Sequence, residues 1–277
     1  MLIGAVTVLS ALSAVLFGLR SGEAWLWVAP VSFLATFLAL AALIFLLVWL
    51  LCAVVDVKKP QEKDNRFYRF VVNLLCQAAY PILGARLHVE GAEKMPKQGR
   101  FLLVCNHISD MDPVTILKAF PRKKLAFISK RENDQRFIVG PLLHKILCQP
   151  INRENNREAL KTILKCIDIL KQDMASVAVF PEGYTSMDGL LRHFRYGVFK
   201  IAQKARVPIV VCTLKNTDKI FGNALKKRNT RVQLRLVEVI RPEEFAGMTT
   251  VALGERIYEL MAEDLGPELV YNPGEKA

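Results

Sequence analysis

The stretch Asn106-His107-Ile108-Ser109-Asp110-Met111-Asp112-Pro113 holds an imidazole and a carboxylate five residues apart. On an α-helix that separation turns the two side chains about 140° from each other, so a turn has to bring them together. Asp112-Pro113 supplies one. Asp is a favoured N-cap and Pro a favoured first helical residue, so a helix is expected to begin at residue 113. Residues 101–105 are a continuous apolar run and read as a buried strand leading straight into the motif. His107 then sits in a strand-to-helix turn beside a carboxylate. A carboxylate on one ring nitrogen fixes the tautomer and raises the basicity of the other, the base–orienter pair of a hydrolase or transferase. No Ser or Cys is matched to the pair, so the expected nucleophile is a hydroxyl on a substrate. The spacing by itself also fits a surface His beside a helix cap, and the surrounding elements have to decide.

Those elements begin with Val177-Ala178-Val179-Phe180-Pro181-Glu182-Gly183, a strand ending in a tight turn that presents Glu182. The carboxyl ends of strands are where α/β folds build their sites. Ile151-Asn152-Arg153-Glu154-Asn155 is a second strand end, carrying an Arg whose planar fork suits a phosphate. Residues 192–206 contain Arg192, Arg195, Lys200, Lys204 and Arg206 and no acid. For a lone Lys or Arg the ordinary role is a solvated surface charge.

Short apolar runs alternate with helical periods through the rest of the chain. Strands are expected at 86–90, 101–105, 125–129, 176–180, 209–214 and 231–239, and helices at 113–120, 155–172, 196–205 and 249–264. Residues 131–147 read as mainly helical around Gly140-Pro141. In the 155–172 helix, Leu160, Ile163, Leu164, Ile167 and Leu170 are expected to share the buried face. Residues 267–277 read as a loose tail. The alternation indicates an α/β class with a mixed, largely parallel sheet flanked by helices. No internal repeat and no low-complexity segment is visible.

Asn106-His107 to Asp112, the strand-end Arg153, Phe180-Pro181-Glu182-Gly183 and Val207-Pro208-Ile209-Val210 resemble, in order and spacing, the four motifs of the PlsC-type glycerolipid acyltransferases. These include the 1-acylglycerol-3-phosphate acyltransferases. The resemblance covers about residues 85–215. It implies a glycerolphosphate-acyltransferase-like fold and an acyl transfer from acyl-CoA or acyl-ACP to a lysophospholipid hydroxyl, with no bound cofactor. It implies that His107 deprotonates the acceptor hydroxyl, that Asp112 orients the imidazole, and that backbone N–H groups of the 107–113 turn hold the oxyanion. Arg153 would bind the acceptor phosphate, and Glu182 with Gly183 would shape the glycerol pocket. Asn106, Lys130 and Arg195 are further substrate-binding candidates. Acyl carrier protein is a partner if it carries the acyl group. Two positions depart from the motifs. The third motif often reads E-G-T-R, but here Glu182-Gly183 is followed by Tyr184-Thr185, so the Arg is missing. The second proline of the fourth motif is replaced by Val211. The missing Arg leaves open another lysophospholipid or membrane alcohol as acceptor.

Composition adds where such a site works. The chain has 277 residues, is 52% hydrophobic and carries a formal net charge of +12, with a mean hydropathy of +0.24. Residues 1–55 hold only Arg20 and Glu23, so the basic excess belongs to the remainder. Leu2–Leu19 is 18 residues without a charge and Ala24–Val55 is 32; a spanning helix needs about 20. Trp27 and Trp49 are roughly 33 Å apart on a helix, one at each interface of a bilayer core. Lys58, Lys59, Lys63, Arg66 and Arg69 follow, which marks the cytoplasmic side. The organisation expected is a hairpin anchor over 1–55, a basic amphipathic interfacial segment over 56–84 and a catalytic domain over 85–277 on the cytoplasmic side of the cell membrane. A cleaved signal peptide lacks its basic n-region here, and a first helix dipping into one leaflet is the other alternative. Phe67, Phe70, Val71, Leu74, Leu75 and Ala78 recur at helical spacing, which fits a helix in the headgroup region or one packed on the domain.

The six cysteines form no C-x-x-C pair and sit among apolar neighbours, as small hydrophobes in a reducing compartment. The four histidines have no zinc-like spacing, so no metal is expected. The basic charge alone would also suit a non-catalytic membrane-surface binder. Nucleic acid is not an expected partner, because aromatics are not interleaved with the basic runs. Neither a G-x-x-x-x-G-K-[ST] nor a G-x-G-x-x-G motif is present.

Overall fold

A computed structural model describes residues 2–153, 155–186 and 188–272. Two apolar helices, α1 (Leu2–Arg20) and α2 (Trp25–Ala53), pack side by side through a tight turn. Ser13 and Thr36 share a hydrogen bond of 2.8 Å across the pair. Both are long and apolar enough to cross a membrane. Then follow α3 (Arg66–Ile82), β1 (Ala85–Glu90), β2 (Leu102–Cys105), α4 (Asp112–Ala119), β3 (Leu125–Lys130), α5 (Val139–Lys145) and β4 (Gln149–Ile151). The chain continues with α6 (Asn156–Lys171), β5 (Ser176–Val179), α7 (Lys200–Ala205), β6 (Ile209–Lys215), α8 (Lys219–Leu225), β7 (Thr230–Ile240) and α9 (Thr250–Leu265).

The seven strands form one sheet in the order β1-β7-β6-β2-β5-β3-β4. The block β6-β2-β5-β3-β4 is parallel. β7 joins it antiparallel to β6, and β1 lies parallel to β7. The fold is therefore a mixed, mostly parallel sheet covered by helices. Successive strand residues point to opposite faces, and the core divides accordingly. Leu103, Cys105, Ala178, Val210 and Cys212 face one cluster with α3, α4, α5 and α8. Leu102, Val104, Val177, Val179, Ile209 and Val211 face the other with α6, α7 and α9. Both faces are covered, which is why these strands read as unbroken apolar runs.

Three local expectations are corrected. Asp112 lies inside the helix rather than capping it: the N-cap position is Met111, because the Asp112 carboxylate turns back to the loop before it. Leu160 and Leu164 do not share the buried face of α6; they are 50% and 52% exposed, whereas Cys166, Ile167, Ile169 and Leu170 are buried. The first turns of α6 pass over β4, a three-residue edge strand with nothing beyond it. The described part of the expected tail, residues 267–272, is docked: Tyr271 N donates to Leu191 O at 3.0 Å, and the Arg192 guanidinium stands 4.1 Å from the Tyr271 ring centre. The rest of that segment lies outside the described residues. The 131–147 region divides into a 3-10 turn and α5, and 196–205 into a 3-10 turn and α7. The helix α8 was not anticipated.

Candidate active site

β2 ends at Cys105 and the chain turns across the carboxyl ends of the parallel block before entering α4. Asn106 fastens this turn. Its side-chain amide donates to Leu214 O at 3.0 Å and accepts from Leu214 N at 2.7 Å, extending the β2–β6 pairing by a side chain. His107 follows with its ring laid on Phe180, centroids 4.2 Å apart and planes 16° from parallel. His107 Nδ1 lies 2.8 Å from Asp112 Oδ2. That oxygen also accepts from Ile108 N at 2.7 Å and Ser109 N at 2.9 Å. Asp112 Oδ1 accepts from the Thr217 hydroxyl at 2.5 Å. The carboxylate is fully buried and held from four directions. A carboxylate only accepts, so Nδ1 is the ring N–H and Nε2 presents its lone pair. Nε2 lies 2.9 Å from Thr185 Oγ1.

Four amides of the 107–112 turn are bound to side chains. His107 N goes to Glu182, Ile108 N and Ser109 N go to Asp112, and Met111 N goes to Ser109 Oγ. Their role here is to hold the His–Asp pair.

The turn after β5 braces His107 from the other side. Glu182 is 1% exposed. Its Oε1 accepts from His107 N at 2.8 Å and its Oε2 from Arg192 N at 3.1 Å. Burial pushes its carboxyl up to about 8, against the lowering effect of those two N–H groups and with Asp112 adding to the rise. Glu182 is thus joined to the backbone on both sides of the site. Gly183 follows at φ +80°, and a Cβ there would lie 2.7 Å from Arg195 Cδ. Only glycine allows both the left-handed turn and the close passage of the Arg195 stem. Arg195 N donates to Pro181 O at 2.7 Å.

Arg153 lies just past β4 and is half-buried. Its guanidinium is pushed below the usual arginine range by burial first and then by the positive charge of Arg195, with Glu132 acting the other way. A half-buried guanidinium facing a second positive charge makes a place where an anion would be stabilised. Lys130 closes β3, in register with Ile151, and is exposed. The structure therefore gathers His107, Asp112 and Glu182 into one hydrogen-bonded unit. It brings Arg153 within electrostatic reach of Arg195 across the strand ends, and it leaves Lys130 at the rim.

A family model described as Acyltransferase matches residues 86–215. The match covers a little under half of the chain. The fold is similar to a solved one: the crystal structure of the 1-acyl-sn-glycerophosphate acyltransferase PlsC from Thermotoga maritima matches with a TM-score of 0.60 and 25% identity, over 71% of this chain and 78% of that one. A chloroplastic 1-acyl-sn-glycerol-3-phosphate acyltransferase of Arabidopsis thaliana is 33% identical over 159 residues, 57% of this chain and 43% of that protein. One from Chlamydomonas reinhardtii is 29% identical over 219 residues, 78% of this chain and 64% of that protein. The chain thus spans less than two thirds of either of these relatives.

Three residues that contact the His–Asp pair are not among the site candidates read from the sequence. Phe180 supplies the face under the imidazole. Thr217 binds the far oxygen of Asp112 from a loop two residues past β6. Thr185 binds Nε2 from the position that often holds Arg in the third motif this chain resembles. The placement of Thr217 follows the general rule that strand carboxyl ends build the site. Nothing local to Thr185 marks it.

Proposed function

We propose that this chain transfers a fatty acyl group from an acyl thioester, acyl-CoA or acyl-ACP, to the free hydroxyl of 1-acylglycerol-3-phosphate, giving phosphatidate. The carrying observation is the lone pair of His107 Nε2, aimed by the buried Asp112 and already 2.9 Å from a hydroxyl. An acceptor hydroxyl in that place gives its proton to Nε2 as its oxygen attacks the thioester carbonyl. The tetrahedral intermediate collapses, and the leaving thiolate takes the proton back from Nε2. Asp112 stabilises the imidazolium in between. No acyl-enzyme forms in this scheme. Arg153 and Arg195 hold the acceptor phosphate, the anion their opposed charges lack. Glu182 and Gly183 shape the seat of the glycerol by fixing His107 and Arg195. Asn106 fixes the strand end, and Lys130 at the rim meets acidic groups of the donor.

On this reading the catalytic domain works at a cell membrane, on the cytoplasmic face, with α1 and α2 as an anchor that keeps it near its lipid acceptor; the length and apolar character of the two helices support this. The relatives named 1-acyl-sn-glycerol-3-phosphate acyltransferases support this acceptor. Thr185 in the Arg position favours a second reading of the acceptor, another lysophospholipid or membrane alcohol with the same chemistry. Labelled acyl transfer from both donors to a panel of acceptors in micelles separates the two. His107→Ala is expected to lower transfer by about 10²–10⁴-fold with folding intact; full activity in the purified variant refutes the assignment.

A further inference from the structure

Acyl transfer to an external alcohol requires His107 Nε2 to be free for that alcohol, and in this structure it is not. Nε2 is the acceptor nitrogen, because Nδ1 gives its proton to Asp112, so the Thr185 hydroxyl donates to it at 2.9 Å. Thr185 stands where the acceptor hydroxyl has to stand. Its loop is pinned on both flanks of the hydroxyl: Gly183 N donates to Phe180 O at 3.1 Å, and Ser186 N donates to His107 O at 2.8 Å. The loop also carries an unmet demand. Among the described residues Ser186 Oγ is buried with no hydrogen-bond partner. A buried hydroxyl left without a partner is costly and marks an arrangement that can be exchanged for another.

Resting on the acyl-transfer reading, we propose that Thr185 is a positioning residue that closes His107 until the acceptor arrives, and so favours transfer over hydrolysis of the acyl thioester. Water and the acceptor both have to displace the Thr185 hydroxyl before Nε2 can take their proton. The acceptor is also held through its phosphate by Arg153 and Arg195, so at saturation it displaces Thr185 completely. Water has no such second hold, and its rate follows the small fraction of sites in which Nε2 is open. The suppressed reaction balances without a further reactant. The water oxygen attacks the carbonyl, its proton passes to Nε2 and then to the leaving thiolate, and the products are a fatty acid and a thiol.

Purified wild type, Thr185→Val, Thr185→Ala, Thr185→Ser and His107→Ala are compared in detergent micelles with labelled acyl-CoA, with and without 1-acylglycerol-3-phosphate. A net hydrogen bond is worth about two- to tenfold in an equilibrium. Thr185→Val is therefore expected to raise acceptor-independent fatty acid release about two- to tenfold and to lower the acceptor KM. Thr185→Ala repeats the test should Val not fit the loop, and Thr185→Ser restores the wild-type ratio. Hydrolysis at or below the wild-type rate in the folded Val and Ala variants overturns the proposal. So does an acyl adduct on Thr185 in intact-mass spectra, because Thr185 would then be a nucleophile. Transfer surviving in His107→Ala overturns the base assignment on which the proposal stands, and absence of transfer to any acceptor by the folded wild type overturns the underlying acyl-transfer reading instead.

Discussion

Asp112→Asn is the substitution for which the structure gives the sharpest expectation. An amide keeps one acceptor oxygen and replaces the other with a donor NH2. Oδ2 of Asp112 receives three donors, His107 Nδ1, Ile108 N and Ser109 N, whereas Oδ1 receives only the Thr217 hydroxyl. The amide therefore seats its oxygen at the Oδ2 position. The opposite orientation would press NH2 against two backbone N–H groups. Thr217 can rotate its hydroxyl to accept from the NH2, so the contact survives with its direction reversed. Nδ1 stays the N–H, and Nε2 stays the base. What is lost is the negative charge beside the imidazolium of the transition state. A charge-assisted hydrogen bond is worth about 1.5–3 kcal/mol against about 1 for a neutral one, a difference of about 0.5–2 kcal/mol. At 1.36 kcal/mol per decade that is about 2–30-fold in kcat. Asp112→Ala, which abandons all four donors, is expected to cost about 10³-fold or more and to lower the stability of the domain. The assay is initial-rate acyl transfer at saturating donor and acceptor, with thermal melting of each variant. If Asp112→Asn is as inactive as His107→Ala while folded, the amide has taken the other orientation and the argument from the donor count is wrong.

Two predictions concern the frame around the pair. Glu182 is held up to about 8 in the fold against an ordinary 4.5; between those values the folded state keeps a proton that the unfolded chain releases, so its contribution to stability is whole below about pH 4.5 and is lost as the pH rises through 8. Chemical denaturation of wild type at pH 6 and pH 8 should show a loss of about 1–3 kcal/mol that is absent in Glu182→Gln, and equal slopes in the two proteins count against the buried-acid assignment. Arg69 of α3 is buried, bonded to Asp64 at 2.6 and 2.8 Å and to the carbonyls of Leu125 at 3.0 Å and Ile146 at 3.1 Å; Arg69→Ala leaves Asp64 buried and unpaired and should cost about 3–5 kcal/mol in detergent, with the loss partly recovered when Asp64 is made Leu as well.

The fold was legible wherever burial imposes a period. Residues 101–105 and 176–179 are buried on both faces, so their apolar runs announce central strands, and α6, expected over 155–172, spans Asn156–Lys171 with Asn155 as its N-cap. Legibility failed where a helix is short or overhangs. α8 spans seven residues, contains Gly222 and leaves Phe221 and Leu225 exposed, so no apolar stripe marks it. Leu160 and Leu164 have the helical spacing of a buried face, but the sheet edge beneath them ends too soon. In the site, His107, Asp112 and Glu182 could be named because they stand in contiguous motifs. Thr185 and Thr217 could not, because their partners are 78 and 105 residues away and the information lies in loop paths that only the assembled sheet defines. The 107–112 amides show the converse. The resemblance implies an oxyanion role for these amides, and three of them, His107 N, Ile108 N and Ser109 N, are already bound by the carboxylates of Glu182 and Asp112.

The division between an apolar first 55 residues and a basic remainder suggests a domain tethered to an anchor, but the packing argues for a fixed mount. The last turns of α2 are part of the domain core: Val48, Leu51 and Val55 pack on the cluster that contains Leu103 and Cys105 of β2, the strand that delivers His107. Tyr68 of α3 donates its hydroxyl to Leu51 O at 2.9 Å, and Trp49 rests on Phe137 with ring centroids 5.6 Å apart. Arg69, the next residue after Tyr68, ties the same helix to β3 and to the end of α5. Each of these contacts crosses from the apolar helices to an element that touches the site-bearing sheet, so a movement of the hairpin relative to the site would have to break buried packing. Phe67 and Phe70 remain exposed on α3, as do Phe137 and Val139 beside α5. These are the helices on the sheet face where α2 docks, and that face is the one prepared for an apolar surrounding. A flexible tether would let the site sample many heights above a bilayer. On the proposed reading of a membrane-bound acyltransferase, this mount would hold it at one, which would suit an acceptor whose hydroxyl sits at a fixed depth in the headgroup layer.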